Sequence, residues 1–415
     1  MVTGSNPVWG VLTKGQRVGT RNGQNHPGYS KFLEHWLLNP DITFLNHGSF
    51  GACPIPVLQA QQQWRERLER QPLQFLGEDF EALLDAAISE LASFVKCPAK
   101  DLVFVANATT GINTVLRSLK FEPGNEILTT NHEYNACRNA LDYMAERTGA
   151  TIVVATIPFP IASPDQIIEA VMSCVSERTQ LVLLDHVTSQ TGLIFPITDL
   201  VQQLTQQGID TLIDGAHAPG MLDLNLAELG ATYYTGNCHK WLCAPKGSAF
   251  LYVQPDRQPL IRPLTISHGA NSTRRDRSRF RLEFDWMGTT DPTSHLSVPT
   301  AIQFIGSLLG GGWTALMAQN RQLALKAREV LCAALNVAPP CPDAMLGALA
   351  VVPLPDGEWL SLHNALLERY AIEVPIIPWG HPGGRQIRIS AQIYNTLEQY
   401  DYLAIALKTL LAEGY

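Results

Sequence analysis

The 415-residue chain has no apolar run approaching the ~18 residues that span a membrane. Its start, Met1-Val-Thr-Gly-Ser-Asn-Pro7, lacks the basic region and apolar core of a secretory signal. A soluble protein with no membrane partner is expected. The eight cysteines form no C-x-x-C pair, and no His/Cys cluster has zinc spacing. That pattern predicts no resident metal, reduced and mostly buried thiols, and a cytoplasmic location. Repeats and low-complexity tracts are absent, which excludes solenoids and arrays. Excess positive charge is absent too: 30 Lys+Arg against 38 Asp+Glu give a net charge of −8, which argues against a nucleic-acid partner. One segment departs from this balance. Thr273-Arg-Arg-Asp-Arg-Ser-Arg-Phe-Arg281 carries five arginines. It reads as a solvated loop, as a loop paired with acids across a subunit interface, or as a basic rim over an anionic substrate.

The length suits one large domain plus a smaller one. Residues 1–30, rich in Gly, Asn and polar groups, read as a loose extension outside the fold. Leu58–Arg70 and Phe80–Lys96 have helical periodicity with charged outer faces. Strand-like runs then recur at Leu102–Ala106, Glu126–Thr130, Thr151–Ile157, Gln180–Leu184, Thr211–Ile213, Ala231–Thr235 and Ser248–Val253. Helix-like segments at Ile112–Leu119, Cys137–Arg147, Pro164–Val175 and Ile197–Gln207 separate most of them. This alternation predicts an α/β domain with a mainly parallel seven-stranded sheet flanked by helices. Residues 31–297 are assigned to that domain, with its N-terminal segment and a connection over 254–297. Residues 298–415 are assigned to a smaller α+β domain, with strands near Leu349–Val352 and Gln386–Ile389 and a last helix over Thr396–Leu411.

Chemistry is concentrated where the strands end. Ala231–Thr235 runs into Gly236-Asn-Cys-His-Lys240 and an apolar stretch, an unfavourable place for a surface charge but a suitable one for a Schiff-base lysine. Thr211–Ile213 delivers Asp214, an acid that is costly to bury without a partner. A lysine for an aldehyde and an acid for a pyridine nitrogen together suggest pyridoxal 5′-phosphate (PLP). His217 is placed to reach the ring hydroxyl. Asn107-Ala-Thr109-Thr110-Gly111, after a strand and before a helix, forms a candidate phosphate cradle, with Asn237 and His239 as further phosphate ligands. Tyr134, after strand Glu126–Thr130, is the candidate to stack on the cofactor, with His132 second. Arg388, alone among apolar neighbours in Ile387-Arg-Ile-Ser390, is the candidate grip on a substrate carboxylate.

These pieces resemble the class V aminotransferase branch of fold-type I PLP enzymes, within it the isopenicillin N epimerase-like group. The likeness covers about residues 42 to 412. It rests on Phe44-Leu-Asn-His-Gly-Ser-Phe-Gly51, Ala108-Thr-Thr-Gly111, Glu133-Tyr134, Asp185-His-Val-Thr-Ser-Gln-Thr-Gly192, Asp214-Gly-Ala-His217, His239-Lys240, Trp286-Met-Gly-Thr289 and Arg388-Ile-Ser-x-x-x-Tyr394-Asn395. The resemblance implies that Thr110, Asn237 and His239 hold the phosphate, that Tyr134 stacks on the ring, and that Ser189 lies near the ring hydroxyl. It also implies that Asn46 and His47 line the substrate entrance and that Arg388 binds the substrate carboxylate. Thr289 is expected to reach the neighbouring subunit's phosphate, giving a homodimer with shared active sites. One departure is informative. Cysteine desulfurases carry a nucleophilic cysteine shortly before this arginine, whereas Pro375-Ile-Ile-Pro-Trp-Gly-His-Pro-Gly-Gly-Arg385 has none.

The expected reaction acts at Cα of a small amino-acid substrate. Lys240 removes the proton, and a ring kept protonated by Asp214 takes up the charge. Return of a proton from the opposite face would invert the centre, with Tyr134, His132 and His47 as candidate second bases. β-Elimination from a cysteine derivative, transamination, and PLP binding with dormant catalysis are the alternatives.

Overall fold

The computed structural model describes residues 27–415. The extension assigned to 1–30 falls almost wholly outside the described residues. Tyr29 and Ser30 lie within them and are anchored: the Tyr29 hydroxyl donates to the Ile42 carbonyl, and the Ser30 amide to the Tyr394 carbonyl at 3.0 Å.

Helices α1 (Ile55–Arg70) and α2 (Phe80–Val95) precede the main sheet. Its strands are β1 (Leu102–Val105), β2 (Glu126–Thr130), β3 (Thr151–Ala155), β4 (Thr179–Asp185), β5 (Asp210–Asp214), β6 (Tyr233–Asn237) and β7 (Ala249–Val253). The intervening helices are α3 (Ala108–Ser118), α4 (Asn135–Thr148), α5 (Asp165–Met172) and α6 (Ile197–Gln206). Spatial order is β1-β7-β6-β5-β4-β2-β3, and only β7 runs antiparallel to its neighbours. The expected parallel α/β sheet is therefore present, and strand boundaries agree within about two residues. The sequence reads this way because both faces are covered. In β4, Leu181 and Leu183 enter one apolar cluster while Val182 and Leu184 enter the other.

The remaining chain forms α7 (Val298–Ser307), α8 (Gly312–Leu335), β8 (Leu349–Leu354), α9 (Trp359–Tyr370), β9 (Ile376–Pro378), β10 (Arg385–Ser390) and α10 (Leu397–Ala412). Strands β9-β10-β8 make an antiparallel sheet. Sequence periodicity does not single out α9 or β9. The N-terminal segment joins this region: Thr43–Phe44 pairs in parallel with Ile372–Glu373, and the Ser390 amide donates to the Leu45 carbonyl at 3.0 Å. Residues 46–49 thereby lie beside β10.

The arginine-rich segment is neutralised within the chain. Arg277 and Arg281 both contact Asp285 and Asp85 on α2, Arg274 pairs with Glu81 and Asp276, and Arg279 pairs with Glu283. Acids of the same chain therefore pair with these four: Glu81 and Asp85 on α2, and Asp276, Glu283 and Asp285 in or beside the segment. Arg275 alone of the five has no acidic partner among the described residues. Asp285 is buried between two guanidiniums that are themselves mostly buried. Removing it, as in Asp285→Ala, is expected to cost about 3 kcal/mol in urea unfolding. Arg274→Ala, at an exposed pair, is expected to leave the midpoint unmoved.

Candidate active site

The ends of β4 and β5, helix α4 and strand β10 bring Asp185, Asp214, Cys137 and Arg388 around Lys240. Three residues beyond the end of β6, its amine lies 3.0 Å from His217 Nε2. Burial lowers the ammonium pKa to about 8, against an opposing pull from the Asp214 charge. No carboxylate forms a salt bridge with it among the described residues. The backbone here is tightly fixed. His47 Nε2–H donates to the Lys240 carbonyl at 3.1 Å, and His47 Nδ1 accepts from the Tyr394 hydroxyl at 2.8 Å. Gly51, at φ +69°, lies so close that a Cβ would fall 2.1 Å from the His239 carbonyl oxygen and 2.8 Å from Lys240 Cα. His47, expected at the substrate entrance, is instead 1% exposed with both ring nitrogens engaged, and burial lowers its pKa to about 3.

Asp214 is 3% exposed at the end of β5. The Ala216 amide donates to its Oδ1 at 2.8 Å and the Cys137 thiol to its Oδ2 at 3.2 Å. Parallel register places Asp185, at the end of β4, directly beside it. Glu133 completes an acidic group, accepting from the Thr129 hydroxyl at 2.7 Å and the Tyr134 amide at 3.1 Å. Burial, then mutual repulsion, pushes the Glu133 and Asp185 carboxyls up; burial pushes Asp214 up. Glu133 and Asp185 lie in the quoted motifs without an assigned role, and Cys137 lies in none. Asp185 carried the signal that identified Asp214, an acid straight after an apolar strand.

At the start of α3, Asn107 Oδ1 accepts from the Thr110 amide at 2.8 Å and the Thr110 hydroxyl at 3.0 Å. Asn237 Oδ1 accepts from the Ala108 amide at 2.8 Å, so only its NH₂ end remains to donate. His239 Nδ1–H donates to the Ser248 carbonyl at 3.0 Å. The Thr109 amide and hydroxyl have no protein partner among the described residues.

Arg388, on β10, is 5% exposed. Its guanidinium donates to the Ser189 carbonyl, to Ser189 Oγ at 3.3 Å and to Ser49 Oγ at 2.8 Å, and Ser49 donates in turn to Asn46 Oδ1. These acceptors are neutral, Nε has no partner, and burial lowers the pKa to about 10. Tyr134 is 37% exposed at the start of α4, its phenol pKa raised chiefly by burial, with the Asp214 and Arg388 charges acting on it in opposite directions. His132 is buried, with Nδ1 on Thr191 Oγ1 at 2.9 Å and its ring 4.8 Å from that of Trp379. Thr289 is exposed and makes none of these contacts.

The unused groups fit PLP: a buried amine of low pKa, an acid across from it, free donors at a helix start, and a buried arginine without an acid. The class V aminotransferase family model matches residues 51–403. The chain belongs to that family. Isopenicillin N epimerase of Amycolatopsis lactamdurans is 34% identical, over 91% of this chain and 97% of the relative. A probable chloroplastic L-cysteine desulfhydrase of Arabidopsis thaliana is 29% identical, over 94% and 88%. The cystine C–S lyase C-DES, solved with its product cysteine persulfide, superposes with a TM-score of 0.74 at 21% identity, over 88% of this chain and 97% of that one. A C-DES mutant carries glycine covalently linked to its PLP cofactor. The fold is that of PLP-dependent fold-type I proteins, and PLP is the cofactor of this class V enzyme.

Two outcomes follow from this geometry. Only the free amine attacks an aldehyde, so the rate of PLP capture by cofactor-stripped protein should rise through a midpoint near pH 8, not near the ordinary lysine value of 10.5. Stopped-flow absorbance measures it. Gly51→Ala should lower stability by roughly 3 kcal/mol and weaken PLP retention, because the new methyl must displace the His239–Lys240 backbone.

Proposed function

We propose that this PLP-dependent enzyme epimerises an amino acid or amino-acid derivative by moving the proton at Cα, with Lys240 as the base. The carrying observation is the buried amine of Lys240 placed among Asp214, His217 and the acid-free Arg388. When bound, PLP supplies an electron sink for the charge left at Cα. Asp214 would keep the ring nitrogen protonated, and His217 would hold the ring oxygen, with Ser189 nearby. Thr109, Thr110, Asn237 and His239 would hold the phosphate; Thr110 must release Asn107 in order to donate. Tyr134 would cover the ring and, from the face opposite Lys240, is the candidate to return a proton. Arg388, kept in place by Ser49 and Asn46, would take the substrate carboxylate on its spare Nε–H and hold Cα over the base. The likeness to isopenicillin N epimerase over 91% of the chain supports inversion as the outcome.

C–S bond cleavage is the second reading, supported by the likeness to the desulfhydrase over 94% of the chain. It begins with the same proton removal and differs in the fate of the β-substituent. The working form is proposed to be a homodimer in which Thr289, exposed on its own chain, meets the partner's phosphate. A reducing, cytoplasmic setting is proposed from eight free cysteines. Among the described residues no single helix is long and apolar enough to cross a membrane.

Cα–H exchange in deuterated water, screened over amino acids, tests the reading. Wild type should exchange one class of substrate and Lys240→Ala none; exchange surviving in Lys240→Ala would sink it. Arg388→Ala should lower kcat/KM on the order of 100-fold, because a charge-assisted contact to the carboxylate is lost. Chiral analysis against thiol release separates inversion from cleavage.

A further inference from the structure

Trp241 follows Lys240 directly and is buried against His47, ring centroids 5.0 Å apart. An indole N–H only donates, and that of Trp241 reaches His217 Nδ1 at 3.3 Å. A ring nitrogen that accepts carries no proton, so neutral His217 has its hydrogen on Nε2. That nitrogen lies 3.0 Å from Lys240 Nζ. An ammonium has no lone pair with which to receive an N–H; a free amine has one. An imidazolium at His217 would set its Nδ1–H against the indole N–H. The geometry points to Trp241 as a positioning residue: by fixing the His217 tautomer, its indole N–H holds Lys240 as a free amine, ready to capture the cofactor. This rests on the proposed role of Lys240.

The surrounding charges are consistent with that arrangement. Burial chiefly disfavours protonation of His217; the Arg388 guanidinium adds to this, and Lys240, His239 and His47, which also face it, would do so when charged. Burial chiefly opposes the Lys240 ammonium; Asp214 favours it, Arg388 opposes it, and Cys137 and Asp185, which also face it, would favour it when ionised. The hydrogen bond from His217 therefore acts with burial and against the acids. Were the proton on Nδ1, Nε2 would become an acceptor and would stabilise the ammonium instead.

Trp241→Phe keeps the ring and removes the N–H. In cofactor-stripped full-length protein mixed with PLP, the midpoint of the capture-rate profile should move about one pH unit to alkaline. Capture at pH 7 should then slow about tenfold. Nitrogen-15 spectra of histidine-labelled protein should show His217 protonated on Nε2 in wild type and on both nitrogens in exchange in Trp241→Phe. A His217→Gln background supplies an N–H donor that needs no tautomer, so adding Trp241→Phe there should produce no comparable shift. A wild-type spectrum with the proton on Nδ1 overturns the inference without any variant, as does a Trp241→Phe protein whose midpoint and tautomer stay unmoved. Lys240→Ala is the separate control: if it still builds the visible PLP band, the reading of Lys240 fails, whereas loss of the band with an inert Trp241 fails the inference alone.

Discussion

A primary amine buried without a hydrogen-bonded carboxylate holds its proton weakly, and the rest of the site is arranged around that fact at Lys240. The ammonium loses hydration on burial, and no direct ion pair compensates it. Asp214 acts on it through space. What makes contact is the edge of a neutral imidazole. The backbone beneath is as constrained as the amine: His47 clamps the Lys240 carbonyl and Gly51 packs against its Cα. Both come from the N-terminal segment, which is held by pairing with Ile372–Glu373 and by the Leu45–Ser390 hydrogen bond. Chain segments more than 300 residues apart in sequence therefore meet at one lysine.

The chain contains two opposite treatments of a buried guanidinium. Arg277 and Arg281 are enclosed with Asp85 and Asp285, so each charge meets a fixed opposite charge and nothing is left for a ligand. Arg388 is enclosed with a carbonyl and two hydroxyls, which orient it without neutralising it. A buried cation of that kind is destabilising until an anion arrives. The contrast separates guanidiniums whose charge is matched by acids from one whose charge is not.

Lys240, Asp214 and Arg388 were legible in the sequence because each interrupts a pattern: a charge placed in, or within a few residues of, an apolar strand. The seven strands were legible because two-sided burial writes continuous apolar runs, as in Leu181–Leu184. The contacts that tune these groups were not. Cys137 meets Asp214 across 77 residues, Arg277 meets Asp85 across 192, and His47 meets the Lys240 carbonyl across 193. No local period encodes such pairs; they exist only once sheet order is set. His47 illustrates the limit, since its motif suggested an entrance while packing against Trp241 and Tyr394 encloses it.

Sheet order also sets these acids against one another. Parallel register sets Asp185 beside Asp214, with Glu133 against the same two, and like charges at that distance in a dry interior cannot all ionise. Asp214 receives a backbone N–H on one oxygen and a thiol on the other, and Lys240 favours its anion. Asp185 has an oxygen with no donor at all, and burial and both neighbouring carboxylates oppose its ionisation. Ionisation is therefore opposed more strongly at Asp185 than at Asp214. Neighbouring strands with the same terminal residue thus deliver two acids in unequal settings, and the one that ionises more readily is on the strand nearer the lysine in sequence. Every further anion there would draw a proton back onto the Lys240 amine.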